Sequence, residues 1–149
     1  MKRAIAIASL ILSALAFGSI AHGQDNTRNW ELGYVVQVTD VHIKDGMFNA
    51  YINDLNRIWR KFNDKQIEDG DVISYSMYSP AAQRDGEPDL VLVITYKNWA
   101  AFDRSIEYFE EISEEVFGSM EEGRTANINR GELRTIGSTV NMQEIKFKD

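Results

Sequence analysis

Apolar positions along the chain switch between period two and helical spacing, and the switches lay out six elements. Trp30, Leu32, Tyr34, Val36 and Val38 alternate with Glu31, Gly33, Val35, Gln37 and Thr39, which is the pattern of a half-buried strand. Past Val38 the phase slips to Val41 and Ile43, so a bulge or the strand end is expected near Thr39–Asp40. Lys44-Asp45-Gly46 reads as a turn. Met47, Tyr51, Leu55, Ile58, Trp59 and Phe62 then recur at three- and four-residue steps and predict a helix over Met47–Phe62. Arg57, Arg60 and Lys61 would fall in its last turns, where positive charge suits the helix dipole. Val72–Tyr78 and Leu90–Tyr96 predict two strands. The second is continuously apolar from Leu90 to Ile94, which suits a strand near the middle of a sheet. Asn98 is placed to cap a second helix over Trp99–Phe117. Its expected buried stripe is Phe102, Ile106, Phe109, Ile112 and Val116, and Gly118 is its stop. A partly helical excursion over 120–133 precedes a last strand, Ile136–Phe147.

Strand, helix, strand, strand, helix, strand predicts an α+β, ferredoxin-like βαββαβ sandwich: a four-stranded antiparallel sheet with two helices on one face. Two helices cover one face only. The face Trp30, Leu32, Tyr34, Val36, Val38 is expected to take them, leaving Gly33 and Val35 beside Glu31, Gln37 and Thr39 on the other. The outer residues of Leu90–Ile94 would then lie in water in a monomer. A homodimer through the sheet face follows as an expectation.

The start of the chain has a different pattern. Lys2 and Arg3 precede an apolar run over 4–20, followed by Ala21, Gly23 and the polar Gln24-Asp25-Asn26. This is the layout of a secretory signal peptide over 1–23, with a loose, disordered leader over 24–29 and one domain over 30–149. Export to a periplasmic or extracellular space is expected. After cleavage no apolar run reaches transmembrane length, so no membrane association is expected.

Charge and composition narrow the partners. The formal net charge is −7, and removing residues 1–23 takes away two basic residues and no acidic one. Such a chain is repelled by phosphate backbones, so nucleic acid is excluded as a partner. There is no cysteine, hence no disulfide, thiol nucleophile or iron–sulfur cluster. His42 is the one histidine beyond the signal, so no cofactor and no metal centre are expected. No G-x-S-x-G, glycine-rich phosphate loop or calcium loop occurs. Glu107, Glu110, Glu111, Glu114 and Glu115 make the second helix acidic: a cation or basic-partner surface, or simply a solvated face.

The remaining chemistry is aromatic. His42 at the end of the first strand, Trp59 on the first helix, Tyr75 on the second strand and Trp99 at the start of the second helix are the ligand-pocket candidates. Rings of this kind either fill a core or line a sheet-and-helix cleft that takes a flat organic molecule. No residue is assigned a catalytic role.

The segment Tyr96-Lys97-Asn98-Trp99-Ala100-Ala101-Phe102, an apolar strand ending in an aromatic and a tryptophan opening the next helix, resembles the dimeric α/β-barrel superfamily. The opening strand running into Ile43-Lys44-Asp45-Gly46-Met47 is similar to the strand–turn–helix start of its NIPSNAP-like and antibiotic-biosynthesis-monooxygenase-like members. The resemblance implies a ferredoxin-like subunit whose sheet packs on a second copy. It also implies kinship with cofactor-free oxygenases, haem-degrading enzymes and isomerases. Members of the oxygenase and haem-degrading groups often carry a histidine on the second helix. Asp103 and Arg104 stand in the matching region here, so the resemblance implies no haem ligand. Trp99 corresponds to the helix-start aromatic.

The expected function is therefore binding of a small hydrophobic or aromatic molecule between sheet and helices by an exported dimer. The alternatives are a cofactor-independent monooxygenase or isomerase, and a structural or protein-interaction module.

Overall fold

The computed structural model describes residues 28–81 and 84–149. The expected signal peptide and residues 24–27 of the leader lie outside the described residues. Strand β1 (Trp30–Ile43) runs into helix α1 (Phe48–Asp54), a π-helical segment (Leu55–Trp59) and helix α2 (Arg60–Glu68), which follow one another without interruption. Strands β2 (Val72–Tyr78) and β3 (Leu90–Tyr96) follow, then a 3₁₀ turn (Trp99–Phe102), α3 (Ile106–Phe117), α4 (Met120–Arg130) and β4 (Arg134–Phe147). The sheet order is β2-β3-β1-β4 with antiparallel pairing throughout. This is the predicted ferredoxin-like sandwich, with β3 and β1 central.

The face that β1 gives to the helices differs from the expectation. Val35 and Val41 are buried against them, opposite Tyr96 and Leu90 of β3. Val36 and Val38 point the other way. The cause is a bulge: β1 advances from Leu32 to Val35 while β4 steps from Ile145 to Gln143. One extra residue reverses every side chain beyond it. The bulge is stitched by the Tyr34 N–H donating to Glu144 (2.9 Å) and by Gln143 Nε2 donating to the Gly33 and Tyr34 carbonyls. The irregularity expected near Thr39–Asp40 is present between Asp40 and Val41, but its extra residue is Gly137 on β4, and β1 continues to Ile43.

Two clusters form the core. Val35, Val72, Ile94, Tyr96 and Ala101 pack with Trp59 and Tyr75 at one end. Val41, Tyr51, Leu55, Leu90 and Leu92 fill the other. The first helix extends to Glu68, so Arg57, Arg60 and Lys61 lie in its middle rather than its last turns. Within it the Arg60 N–H reaches back five residues to the Leu55 carbonyl. This extra residue per turn shifts the buried stripe from Leu55 and Ile58 to Asn63 and Gln66. Asn63 repairs the ladder by donating Nδ2 to the Trp59 carbonyl at 2.7 Å.

The second helix is broken where one was expected. Asn98 caps only the 3₁₀ turn, and Ser105 opens α3 with its own hydroxyl, which accepts from the Tyr108 N–H. Phe102 and Ile106 are consequently exposed, while Ile112 alone of the expected stripe is fully buried. Gly118 ends α3 in the left-handed region (φ 91°), as predicted.

A polar clamp holds α3 against α2. Arg104 pairs with both Asp71 oxygens (2.8 and 3.1 Å) and lies over the Tyr108 ring. The Tyr108 hydroxyl donates to Asp69 (2.9 Å), which also accepts from Lys65 (3.0 Å). Lys65 and then Tyr108 hold the Asp69 carboxyl below its ordinary value of 3.8. A depressed carboxylate stabilises the fold above the unfolded value and loses that contribution as pH falls through the folded one. Asp69→Asn is therefore expected to cost about 1 kcal/mol at neutral pH. The gap to wild type should close below about pH 4 in urea titrations. A gap unchanged down to the acid limb would show that the clamp adds nothing.

Candidate functional site

The π-helical segment places Trp59 over the helix-side face of β2, where it meets Tyr75 edge-to-face, with ring centroids 5.0 Å apart at 79°. Such pairs are favourable beyond their buried area. Beside them is a cavity of about 310 Å³, lined by Ile52, Asn53, Leu55, Asn56, Trp59, Arg60, Tyr75 and Met77. β2 is an edge strand, and no further strand among the described residues closes this side.

One hydrogen-bonded chain fixes the polar side of the cavity. The Tyr75 hydroxyl donates to Asp64 at 2.6 Å. Asp64 lies 3.5 Å from Arg60 Nε, and Arg60 Nη1 donates to Asn56 at 3.2 Å. Asn56, Arg60 and Asp64 are four residues apart, so one helical face carries all three. Burial, and then the bond to Asp64, push the Tyr75 phenol above its ordinary pKa. Its hydroxyl proton is committed to Asp64.

Of the four sequence candidates, Trp59 and Tyr75 come together here. His42 lies opposite Thr135, on the sheet face away from the helices. Its ring sits against Gly137, where an added Cβ would stand 2.7 Å from Nε2. On the same face Ser138 donates to Asp40 at 2.8 Å. Trp99 opens the 3₁₀ turn half-exposed, and its Nε1 donates to Gln143 at 2.7 Å. Neither residue lines the Trp59–Tyr75 cavity. From the sequence, Arg60 stands out only as a helix-end charge, and Asn56 and Asp64 do not stand out. Their i, i+4 spacing around Trp59 is the signal that marks them.

A more voluminous cleft of about 490 Å³ lies between the first helix and α4, lined by residues including Asp54, Arg57, Glu121 and Arg130. Its floor is a largely buried ion pair, Arg130 Nε to Asp54 at 2.6 Å, and the buried Arg130 Nη2 has no hydrogen-bond partner among the described residues. Among the described residues, no three acidic or histidine side chains are grouped to hold a metal ion, and no helix is long and apolar enough to cross a membrane.

No protein-family model matches the sequence, and a search of curated proteins finds no match. Solved structures similar to this chain include HapK from Hahella chejuensis, 11% identical, covering 74% of this chain and 91% of that one with a TM-score of 0.49. A dimeric ferredoxin-like protein from an uncultured marine organism is 18% identical, with 76% and 96% covered and a TM-score of 0.49. A Chloroflexus aurantiacus protein named for the antibiotic biosynthesis monooxygenases is 11% identical, with 78% and 97% covered and a TM-score of 0.44. A dimeric ferredoxin-like protein and an antibiotic-biosynthesis-monooxygenase-like protein are thus among them, as the sequence resemblance implied; none of these three structures is a NIPSNAP-like protein by name. At these identities they share an architecture with this chain and lend it no chemistry.

Proposed function

We propose that this is an exported protein that binds a small aromatic molecule in the Trp59–Tyr75 cavity and that works as a homodimer joined through the open sheet face. The cavity carries the reading. It is of ligand size, walled by aromatic and aliphatic side chains, and has its few polar groups prearranged. It also sits on a π-helical segment, a feature that recurs at functional sites.

Dimerisation is supported by the face that the helices leave open. Val36, Val38, Val91, Val93, Val140 and Met142 share it by register. Val140 and Met142 are about half exposed in the single chain. In a chain of net charge −7, this largely apolar face, with Asp40 at its edge bonded by Ser138, is where a second copy meets least repulsion. Export is supported by the signal-like start.

Calorimetric titration with 1-naphthalenemethanol tests the cavity. Saturable binding is expected, weakened about tenfold or more in Trp59→Leu and retained in Trp99→Leu. Equal affinity for wild type and Trp59→Leu would contradict this site.

A further inference from the structure

Arg60 is the one charged side chain among the described residues that line the Trp59–Tyr75 cavity. It is also held in place. Asn56 accepts from Nη1 and Asp64 lies at Nε, while Asp64 is itself fixed by the Tyr75 hydroxyl. Two of the three guanidinium nitrogens are thus steadied by neighbours on the same helix. The five-donor fork still has N–H groups to spare. Ordering a long cationic side chain before a ligand arrives lowers the entropy cost of using it. The aromatic floor and this guanidinium belong to one network, so a ring against Trp59 and an acid group at Arg60 fit a single flat molecule.

Building on the binding proposed above, we infer that the cavity selects planar aromatic carboxylates of one or two rings, with Arg60 as the specificity-determining residue. The ring fills the space among Ile52, Leu55, Trp59, Tyr75 and Met77, and the carboxylate accepts from Arg60, with Asn53 or Asn56 at hand. Charge-assisted bonds of this kind are the stronger class. Asp64 offsets part of the positive charge and Arg60 is 60% exposed, which together keep the preference modest. The net charge of the chain, −7, opposes any anion at long range. A preference for the acid over its neutral analogue therefore requires a local contact.

The test compares 1-naphthoate with 1-naphthalenemethanol, which has nearly the same shape and no charge, on the cleaved full-length domain by calorimetry. Wild type is expected to bind naphthoate about tenfold more tightly. Arg60→Met should bring the ratio of naphthoate to alcohol affinity to about one, whatever it does to the binding of either probe alone, while Arg60→Lys keeps part of the preference. Circular dichroism and thermal unfolding establish that both variants are folded. Equal affinity of wild type for the two probes, or a preference that survives in Arg60→Met, overturns the selectivity and leaves the cavity standing. Binding of neither probe overturns the selectivity and the underlying reading together.

Discussion

Tyr51→Ala should lose about 3–5 kcal/mol of stability, enough to leave much of the chain unfolded at 37 °C. Tyr51 is 1% exposed and packs with Val41, Leu55, Leu90 and Leu92 between the first helix and the two central strands. Removing its ring opens a cavity that a rigid β1–β3 pair cannot collapse into. Burial pushes its phenol above the ordinary tyrosine pKa, with Arg134 beside the hydroxyl pulling the other way. Tyr51→Phe, which deletes only that hydroxyl, should cost about 1–2 kcal/mol. Ile106→Ala should change stability by less than about 0.5 kcal/mol, because Ile106 is 74% exposed despite its place in the expected stripe. Urea melts of the three variants check the ranking. A larger loss at Ile106 than at Tyr51 would place the core elsewhere.

Val93→Arg should convert a dimer into a monomer while leaving the helices intact. Val93 lies between Val38 and Ser76 on the open face of the sheet, on central strand β3. An ordinary interface there would bury about 800 Å² per partner. A guanidinium forced into its apolar centre would be desolvated without a partner, at a cost of several kcal/mol per copy. Light scattering at micromolar concentration should give twice the subunit mass for the cleaved wild type and the subunit mass for the variant, with matching circular dichroism. A wild type that is monomeric under those conditions would contradict the pairing.

The sequence conveyed the element order because hydrophobic period distinguishes strand from helix. Val72–Tyr78 and Leu90–Tyr96 are observed with the boundaries read from it. It misled where one inserted residue changes the phase. The alternation Trp30, Leu32, Tyr34, Val36, Val38 runs unbroken in the sequence, yet the bulge at Gly33–Tyr34 sends its two halves to opposite faces. The same holds for the first helix. Phe62 continues the apolar stripe on paper, but the π-helical segment turns Asn63 and Gln66 inward instead. Gly33 within the alternation is the residue-type signal of the bulge, whereas nothing in residue type announces the π-helical segment.

The candidate site was legible only in part, for a related reason. Trp59 and Tyr75 were selectable as large aromatics, and the fold joins them. His42 and Trp99 were equally selectable, but only register shows that His42 faces away from the helices and that Trp99 bonds to Gln143 on β4. Arg60 and Asp64 look like ordinary solvent-facing charges until the Tyr75 hydroxyl is seen to reach Asp64.

The most direct measurement is a crystal structure of the cleaved protein soaked with 1-naphthalenemethanol. The ring is expected in the cavity, in contact with both Trp59 and Tyr75. An empty cavity with the ring bound instead on the open sheet face or beside Trp99 would contradict the assignment of the Trp59–Tyr75 cavity as the ligand site.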